Sequence, residues 1–379
     1  MREFIKELII QSPLKRIPYS VFIHNALYHP VHGYYMKKDV KIGKEGDFTT
    51  TPHAFPVFAK VFSRFFCKVI NQGKLPPVIC EIGGGDGRFA KYVLKEWESF
   101  SPETFPEVTY YVVEKSFYHQ QLQQDELESY SRLKYFSSLK ELKSTIGTFQ
   151  GIIFSNEWFD ALPVEVIQRA EDQLYEVWIS IDSEGELTEV FTPVENECIQ
   201  QYLADYNIQL TNNQRMEIPL MMLEKLEELH SLFEKGMMVT VDYGYTFQEL
   251  RHPLRRHGSL RGYFQHQLVS NPLLYAGQMD LTTHIHFDSF IDKGKQWGAE
   301  VAAFGRQHEF LLSIGILDLL EENVDLNPFS EISKQNRAIR SLIMDDGMSN
   351  HFHVIVQGKG IRLEKEKLFS SPFSFNRTP

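Results

Sequence analysis

Pro77-Val-Ile-Cys-Glu-Ile-Gly-Gly-Gly-Asp-Gly-Arg88 is the stretch whose reading decides the fold. Val78 to Ile82 is an apolar run with the length of a buried strand, and it ends in a turn carrying Gly83, Gly84, Gly85 and Gly87. A helical pattern follows, with Phe89, Val93, Trp97 and Phe100 recurring on one face. Strand, glycine turn and helix open a βαβ unit, which brings a helix N-terminus and bare backbone N–H groups up to a small ligand. Glycine suits such a turn because it reaches φ > 0 at little cost and has no Cβ to hold the ligand off.

The acidic residues around the turn decide between ligands. Counted from Gly83, a dinucleotide fingerprint needs glycine where Arg88 stands. The chain instead has Glu81 followed by alternating Gly83, Gly85 and Gly87. A carboxylate in a phosphate-binding turn repels a pyrophosphate, but it suits the ammonium and sulfonium of S-adenosylmethionine. Glu114 closes the next strand, Val108 to Val113, where a carboxylate can accept both ribose hydroxyls of an adenosine. The two carboxylates favour a methyl-donor site, with an NAD-linked oxidoreductase as the outside reading.

Working outward, strands and helices alternate from Pro76 onward, the pattern of a mostly parallel sheet covered by helices. Further strands are expected near Tyr135, at Gly151–Ser155 and at Met237–Val241, with a last pair at Glu300–Phe304 and Phe352–Gln357. The fold class is α/β, a Rossmann-like seven-stranded sheet of the class I methyltransferase kind. A β meander is expected over Val164–Arg169, Leu174–Ile181 and Leu187–Val194, followed by a helix from Leu220 to Lys235. Upstream, helices are expected at Glu3–Gln11, at Pro18–Tyr28 with Pro18 as first residue, and at Pro56–Asn71. The polar loop between the last two is Gly- and Thr-rich. The expected organisation is an N-terminal helical region with a lid loop (1–75) and a methyltransferase domain (76–379), the latter with insertions at about 164–235 and 246–287.

Bulk properties narrow the partners. The formal charge of −11 argues against a general nucleic-acid binder, which needs a basic face. Four arginines between Arg251 and Arg261 are interleaved with Pro and Gly and read as a solvated loop. Cys67, Cys80 and Cys198 are far apart and form no C-x-x-C pair, the usage of a reducing compartment, and the N-terminus lacks a signal-peptide core. With no run of about 18 apolar residues, no membrane span is expected, and the expected location is cytoplasmic. His284 and His286 share one side of a strand-like stretch but have no third ligand at metal-site spacing, so no metal is expected.

Taken together, the motifs resemble the MidA-type class I methyltransferases, a family that includes the mitochondrial complex I assembly-factor arginine methyltransferase. The resemblance rests on Gly33-Tyr-Tyr, Gly46-Asp-Phe-Thr-Thr-Thr-Pro52, Glu81-Ile-Gly-Gly-Gly-Asp-Gly87 and Ser155-Asn-Glu-Trp-Phe-Asp-Ala-Leu-Pro163. It continues through Val241-Asp-Tyr-Gly244, Leu260-Arg-Gly-Tyr263 with His266, and Gly277-Gln-Met-Asp-Leu-Thr282. The chain departs from the family at His53, where an acidic residue is usual, and at Gly84 and Asp86, where Pro and Arg are common.

The resemblance implies S-adenosylmethionine as cofactor, held by Glu81, Gly83, Gly85, Gly87, Glu114 and Asn156. Asp47, Phe48 and Thr49 would form a lid, a plain Asp/Thr turn being the alternative. It further implies transfer to arginine on a protein substrate, with a homodimer as a candidate assembly. An arginine acceptor is protonated and pairs best with carboxylates, so Glu157, Asp160 and Asn156 are the catalytic candidates at the end of the fourth strand. The bland readings are a surface position for Glu157 and a helix cap for Asp160. Asp242, Tyr243, His266 and Asp280 are the substrate-side candidates, with a cap or ion pair as the alternative for Asp242. A small-molecule methyltransferase and a cofactor-binding assembly factor without turnover remain open.

Overall fold

The computed structural model describes residues 1–38, 54–322, 327–344, 351–362 and 364–369. The chain forms two compact units, each drawn from separate stretches. The first comprises Met1–Phe48, Phe159–Glu227 and Gly244–Lys293; the second comprises Thr49–Trp158, Glu228–Tyr243 and Gly294–Pro379.

The sheet of the second unit consists of β1 (Val78–Ile82), β2 (Thr109–Val113), β3 (Leu133–Phe136), β4 (Phe149–Asn156), β5 (Phe233–Tyr245), β6 (Ala299–Arg306) and β7 (Phe352–Lys359). Their order is β6-β7-β5-β4-β1-β2-β3. The first five strands pair in parallel, and β7 lies antiparallel between β5 and β6. This is the seven-stranded α/β sheet expected from the alternation. The chain order reverses between β1 and β4, and in an open parallel sheet the crevice at such a reversal is where ligands bind.

Local physics explains these elements. Ile79 through Ile82 are all buried, so β1 reads as a continuous apolar run with one embedded carboxyl, as a strand covered on both faces must. Burial also pushes the Cys80 thiol well above its usual range, consistent with a packing role. The Arg88–Phe100 helix starts after Gly87 and buries Phe89, Val93 and Trp97. Phe100, expected on the same face, is 46% exposed and lies under the Arg64 guanidinium at 4.9 Å instead. Phe62, Phe66, Phe89 and Phe154 pack as a ring cluster, with Phe89 stacked on Phe154 at 4.2 Å. Each such ring contributes about 2 kcal/mol by burial.

The helix expected to reach Lys235 ends at Leu232, and β5 starts at Phe233 with an irregularity before Lys235. Gly236 has φ +141, and a Cβ there would lie 1.9 Å from the Gly151 oxygen of β4. The backbones approach too closely for any other residue, which pins the register of this parallel pair.

In the first unit, the expected meander is present as Glu165–Ala170, Gln173–Ile181 and Leu187–Pro193. Arg215–Ile218 pairs with the first of these strands and Ile17–Pro18 with the second, completing five strands. Pro18 is thus in a short strand and caps the Tyr19–Tyr28 helix rather than occupying its first turn. Its ring fixes φ near the strand-compatible value found here, −67. A three-stranded sheet of Arg261–Phe264, Gln267–Val269 and Asp280–Thr282 belongs to the same unit. Ile5, Phe22, Ile23, Val166, Ile179, Met279 and Leu281 form its main apolar cluster. Gly244 and Tyr245, the last residues of β5, pair in parallel with Ile285 and His286.

Candidate functional site

The turn after β1 has an alternating backbone. Gly83, Gly85 and Gly87 sit at φ +73, +53 and +83, all in the left-handed region. Each glycine answers a different demand. At Gly83 a Cβ would meet the Trp158 ring at 2.7 Å, and at Gly87 it would meet Gln123 at 2.9 Å. At Gly85 it would enter open space, so the bare backbone there is the part a ligand can reach. The Gly85 carbonyl accepts from Gln123 Nε2 at 2.6 Å, and the Gly85 N–H donates to Glu114 at 3.1 Å.

Two carboxyl groups flank the turn and behave differently. Glu114, immediately after β2, also accepts from the Ser116 N–H at 2.7 Å, linking the glycine turn to the start of the Phe117–Leu127 helix. Glu81 is buried within β1, and its side chain accepts from the Tyr110 hydroxyl at 2.9 Å. Burial raises the Glu81 carboxyl from 4.5 to about 8, against the lowering effect of the Tyr110 hydrogen bond. Glu81 therefore tends toward the neutral acid near pH 7 rather than the carboxylate expected from sequence.

β4 runs beside β1, with Ser155 opposite Ile82, and delivers Asn156 and Glu157 to the same end of the sheet as the glycine turn. Asn156 Nδ2 donates to Glu157 Oε1 at 3.1 Å. Glu157 has φ +50, a left-handed conformation in a residue with a full side chain, and its N–H donates to the Val241 carbonyl at 3.0 Å. Such conformations cost energy and persist only where the surroundings impose them.

Asp160, three residues further along, is buried in a turn rather than at a helix start. Its carboxylate accepts from Thr282 Oγ1 at 2.8 Å, and its carbonyl accepts from the Thr283 N–H at 2.9 Å. The helix-cap reading of Asp160 fails because the next element is the Glu165–Ala170 strand. Asp242 is buried inside β5 and accepts from the Tyr243 N–H at 2.9 Å; the strand expected to end there continues to Tyr245. The Tyr243 ring lies edge-on to Phe352 at 5.2 Å. Asp280 is buried and accepts from the Tyr35 hydroxyl at 2.6 Å. His266 sits at the exposed tip of the Arg261–Val269 hairpin, where Gln265 and His266 both have positive φ. Asp47, Phe48 and Thr49 lie outside the described residues.

Residues 61–305 match a protein family described as putative S-adenosyl-L-methionine-dependent methyltransferases. The chain belongs to that family. It is an S-adenosylmethionine-dependent methyltransferase, and the bare, open-sided backbone at Gly85 fits the cofactor.

Among relatives of this methyltransferase is the fruit fly (Drosophila melanogaster) protein named as a mitochondrial protein arginine methyltransferase NDUFAF7 homolog. It is 27% identical over 301 residues, which span 72% of this chain and 65% of the fly protein, just under two thirds of its length. The Xenopus tropicalis protein arginine methyltransferase NDUFAF7 is 25% identical over 369 residues, covering 89% of this chain and 81% of the frog protein. A Burkholderia thailandensis structure bound to S-adenosyl-homocysteine shares the fold with TM-score 0.85 at 24% identity, covering 96% of this chain and 92% of that one.

The expected cytoplasmic location does not stand, because the fly, frog and zebrafish relatives are named as mitochondrial proteins. Sparse unpaired cysteines report a reducing environment and do not distinguish one such compartment from another. Among the described residues no helix is long and apolar enough to cross a membrane.

Several residues that contact the candidate site residues escaped the sequence reading. Gln123 is fully buried against the glycine turn, although the Phe117–Leu127 helix that carries it is mostly polar in sequence. Tyr110 and Tyr35 are far along the chain from Glu81 and Asp280, so no local spacing links them. His284 stacks on Tyr245 at 4.3 Å, and His286 Nδ1 lies 2.7 Å from the Tyr202 hydroxyl. Burial lowers His286 to about 3, keeping it neutral. In the arginine-rich stretch Arg251, Arg255 and Arg256 are exposed, while the guanidinium of Arg255 covers the Tyr245 ring at 4.2 Å.

Proposed function

We propose that this methyltransferase modifies arginine side chains on a protein acceptor. The observation that carries the reading is Glu157, held at φ +50 at the end of β4 with its carboxylate joined to the Asn156 amide. The names of the fly and frog relatives support arginine as the acceptor. When bound, S-adenosylmethionine supplies a methyl group on a sulfonium, which transfers by in-line displacement without covalent help from the protein.

The chain's own residues then have three tasks. Glu81, Gly83, Gly85, Gly87 and Glu114 hold the donor, with Asn156 orienting it. Glu157 and Asp160 hold the planar guanidinium by charge-assisted hydrogen bonds and bias its lone-pair density toward the attacking nitrogen. The proton that this nitrogen gives up passes to a carboxylate, for which Glu157 is the candidate. Asp242, Tyr243, His266 and Asp280 are the candidates for contacts with the acceptor.

The test is transfer of isotope-labelled methyl groups into extract of cells lacking the protein, with wild type and Glu157→Gln compared. Label should enter a discrete protein band and fall about a hundredfold in the variant. Calorimetry should show S-adenosyl-homocysteine binding to both proteins, and peptide mass spectrometry should place the methyl group on arginine. Label confined to small molecules would overturn the protein acceptor. Cofactor binding without any transfer would favour a non-catalytic role.

A further inference from the structure

The first unit contains a cavity of about 540 Å³ lined by none of the residues assigned above to methyl transfer. Its volume lies within the range of pockets that hold small ligands or peptide side chains. The wall is anchored by Arg215, whose guanidinium donates to both carboxylate oxygens of Glu189 at 2.8 and 2.6 Å. The Tyr19 hydroxyl donates to the same carboxylate. Glu189 is therefore neutralised by a bidentate partner within the wall and has little attraction left for a cationic ligand.

The remaining charge on the lining is positive. Arg256 lines the cavity with an exposed side chain, and its Nε donates to His257 Nε2 at 3.1 Å. Arg215 is held by Glu189 and also feels the nearby Glu217 carboxylate, so Arg256, which makes no ion pair among the described residues, is the guanidinium left for a ligand. A cation held at a concave surface attracts ligands of the opposite charge.

The neutral lining narrows the ligand further. Asn213 and Asn271 line the cavity; the Asn271 oxygen already accepts from the Leu273 N–H at 3.0 Å, so its amide N–H groups are the ones left to donate to a peptide carbonyl. The Leu187–Pro193 strand reaches the cavity with its first residues and, among the described residues, pairs only with Gln173–Ile181. An edge strand is a template for adding an extended segment.

We propose that this cavity docks an acidic, extended peptide segment of the acceptor protein, with Arg256 receiving an Asp or Glu side chain. This rests on the reading that the acceptor is a protein. The charge at Arg256 selects acidic segments, and the carboxamides with the strand edge hold the main chain, so acceptor choice is set partly by residues outside the methyl-transfer machinery.

The experiment titrates the full-length protein with a fluorescein-labelled peptide of alternating Glu and Thr, against a counterpart with Gln in place of Glu. Wild type, Arg256→Glu and Arg256→Lys are compared. Arg256 is exposed, so these substitutions leave the fold intact. The acidic peptide should bind wild type at least about tenfold more tightly than the Gln counterpart, and Arg256→Glu should remove that preference. Arg256→Lys should retain most of it, and added salt should weaken it. Equal affinity for the two peptides, or no effect of Arg256→Glu, would overturn the proposal. Displacement by free glutamate or inorganic phosphate at concentrations matching the peptide would also overturn it, assigning the cavity to small anions. Binding of S-adenosyl-homocysteine and methyl transfer to protein, measured on the same samples, report separately on the proposed function.

Discussion

Two acidic side chains, Glu81 in the parallel sheet and Glu189 in the antiparallel one, are both partly or wholly removed from water but are driven in opposite directions. Burial raises the Glu81 carboxyl to about 8, and its hydrogen-bond partner is the neutral Tyr110 hydroxyl. Burial also raises Glu189, but the hydrogen bonds and charge of Arg215 outweigh it, and the Glu189 carboxylate ends below its usual range. The contrast extends to how each region is specified. Around the glycine turn, backbone conformation and close strand approach dictate the residues. In the antiparallel β region of the first unit, side chains far apart in sequence, Tyr19, Glu189 and Arg215, form one network. A local pattern can encode the first kind of constraint, whereas the second exists only after the chain has folded.

The contrast can be broken or sharpened by substitution. The largest effect is expected for Gly236→Val, whose side chain would collide with the Gly151 oxygen; it should cost about 4 kcal/mol or more in thermal unfolding. Gly185→Ala, in a turn of the first unit at φ +82 with no atoms near its Cβ position, should cost only about 1 kcal/mol. Equal losses would mean that strain rather than strand approach governs both sites.

Glu81→Gln is next and should stabilise the protein. The folded state holds the Glu81 proton more tightly than the unfolded chain, so its contribution is full below pH 4.5 and is lost as pH rises toward about 8. The variant should show a flatter stability profile over that interval, with a gain on the order of 2 kcal/mol at neutral pH. Glu189 carries the opposite sign. Its stabilisation is present above the ordinary carboxyl value and is lost as pH falls through the lowered folded value, a loss that Glu189→Gln should remove from the profile. Parallel profiles for the two variants would contradict the assignment.

Arg215→Met should cost about 2 kcal/mol by leaving Glu189 without its partner in a half-buried position. The double variant Arg215→Met with Glu189→Leu should cost less than this single change, measured as a double-mutant cycle in urea. The smallest effect is expected at Asn196, whose side chain accepts from the Cys198 and Ile199 N–H groups at the start of the Glu197–Asp205 helix. Asn196→Ala should cost about 1 kcal/mol.

Much of the parallel sheet was legible because its signals are local. An apolar run of five residues, a glycine turn and a periodic helix fit within Val78–Phe100, and the same logic recovered all seven strands. The site was legible to the extent that it lies at strand ends, where chain order alone brings Gly83–Gly87 and Asn156–Glu157 to neighbouring strands. Misread positions had competing local signals. Phe100 fits the helix period yet is exposed, since period does not reveal where a helix runs past its partner. The stretch through Lys235 looks helical, but the close approach of Gly236 to Gly151 draws Phe233 onward into a strand.

The sequence by itself determined the α/β class, the alternation that builds the sheet, and the acidic, glycine-rich turn of a methyl-donor site. Each depends on interactions between residues a few positions apart, where propensity and period act directly. Only the tertiary structure decided that Glu81 faces Tyr110, that Asp160 secures Thr282 and that Arg215 neutralises Glu189. The protonation and polarity of those groups depend on partners 26 to 122 residues away, and on how much water folding excludes around them.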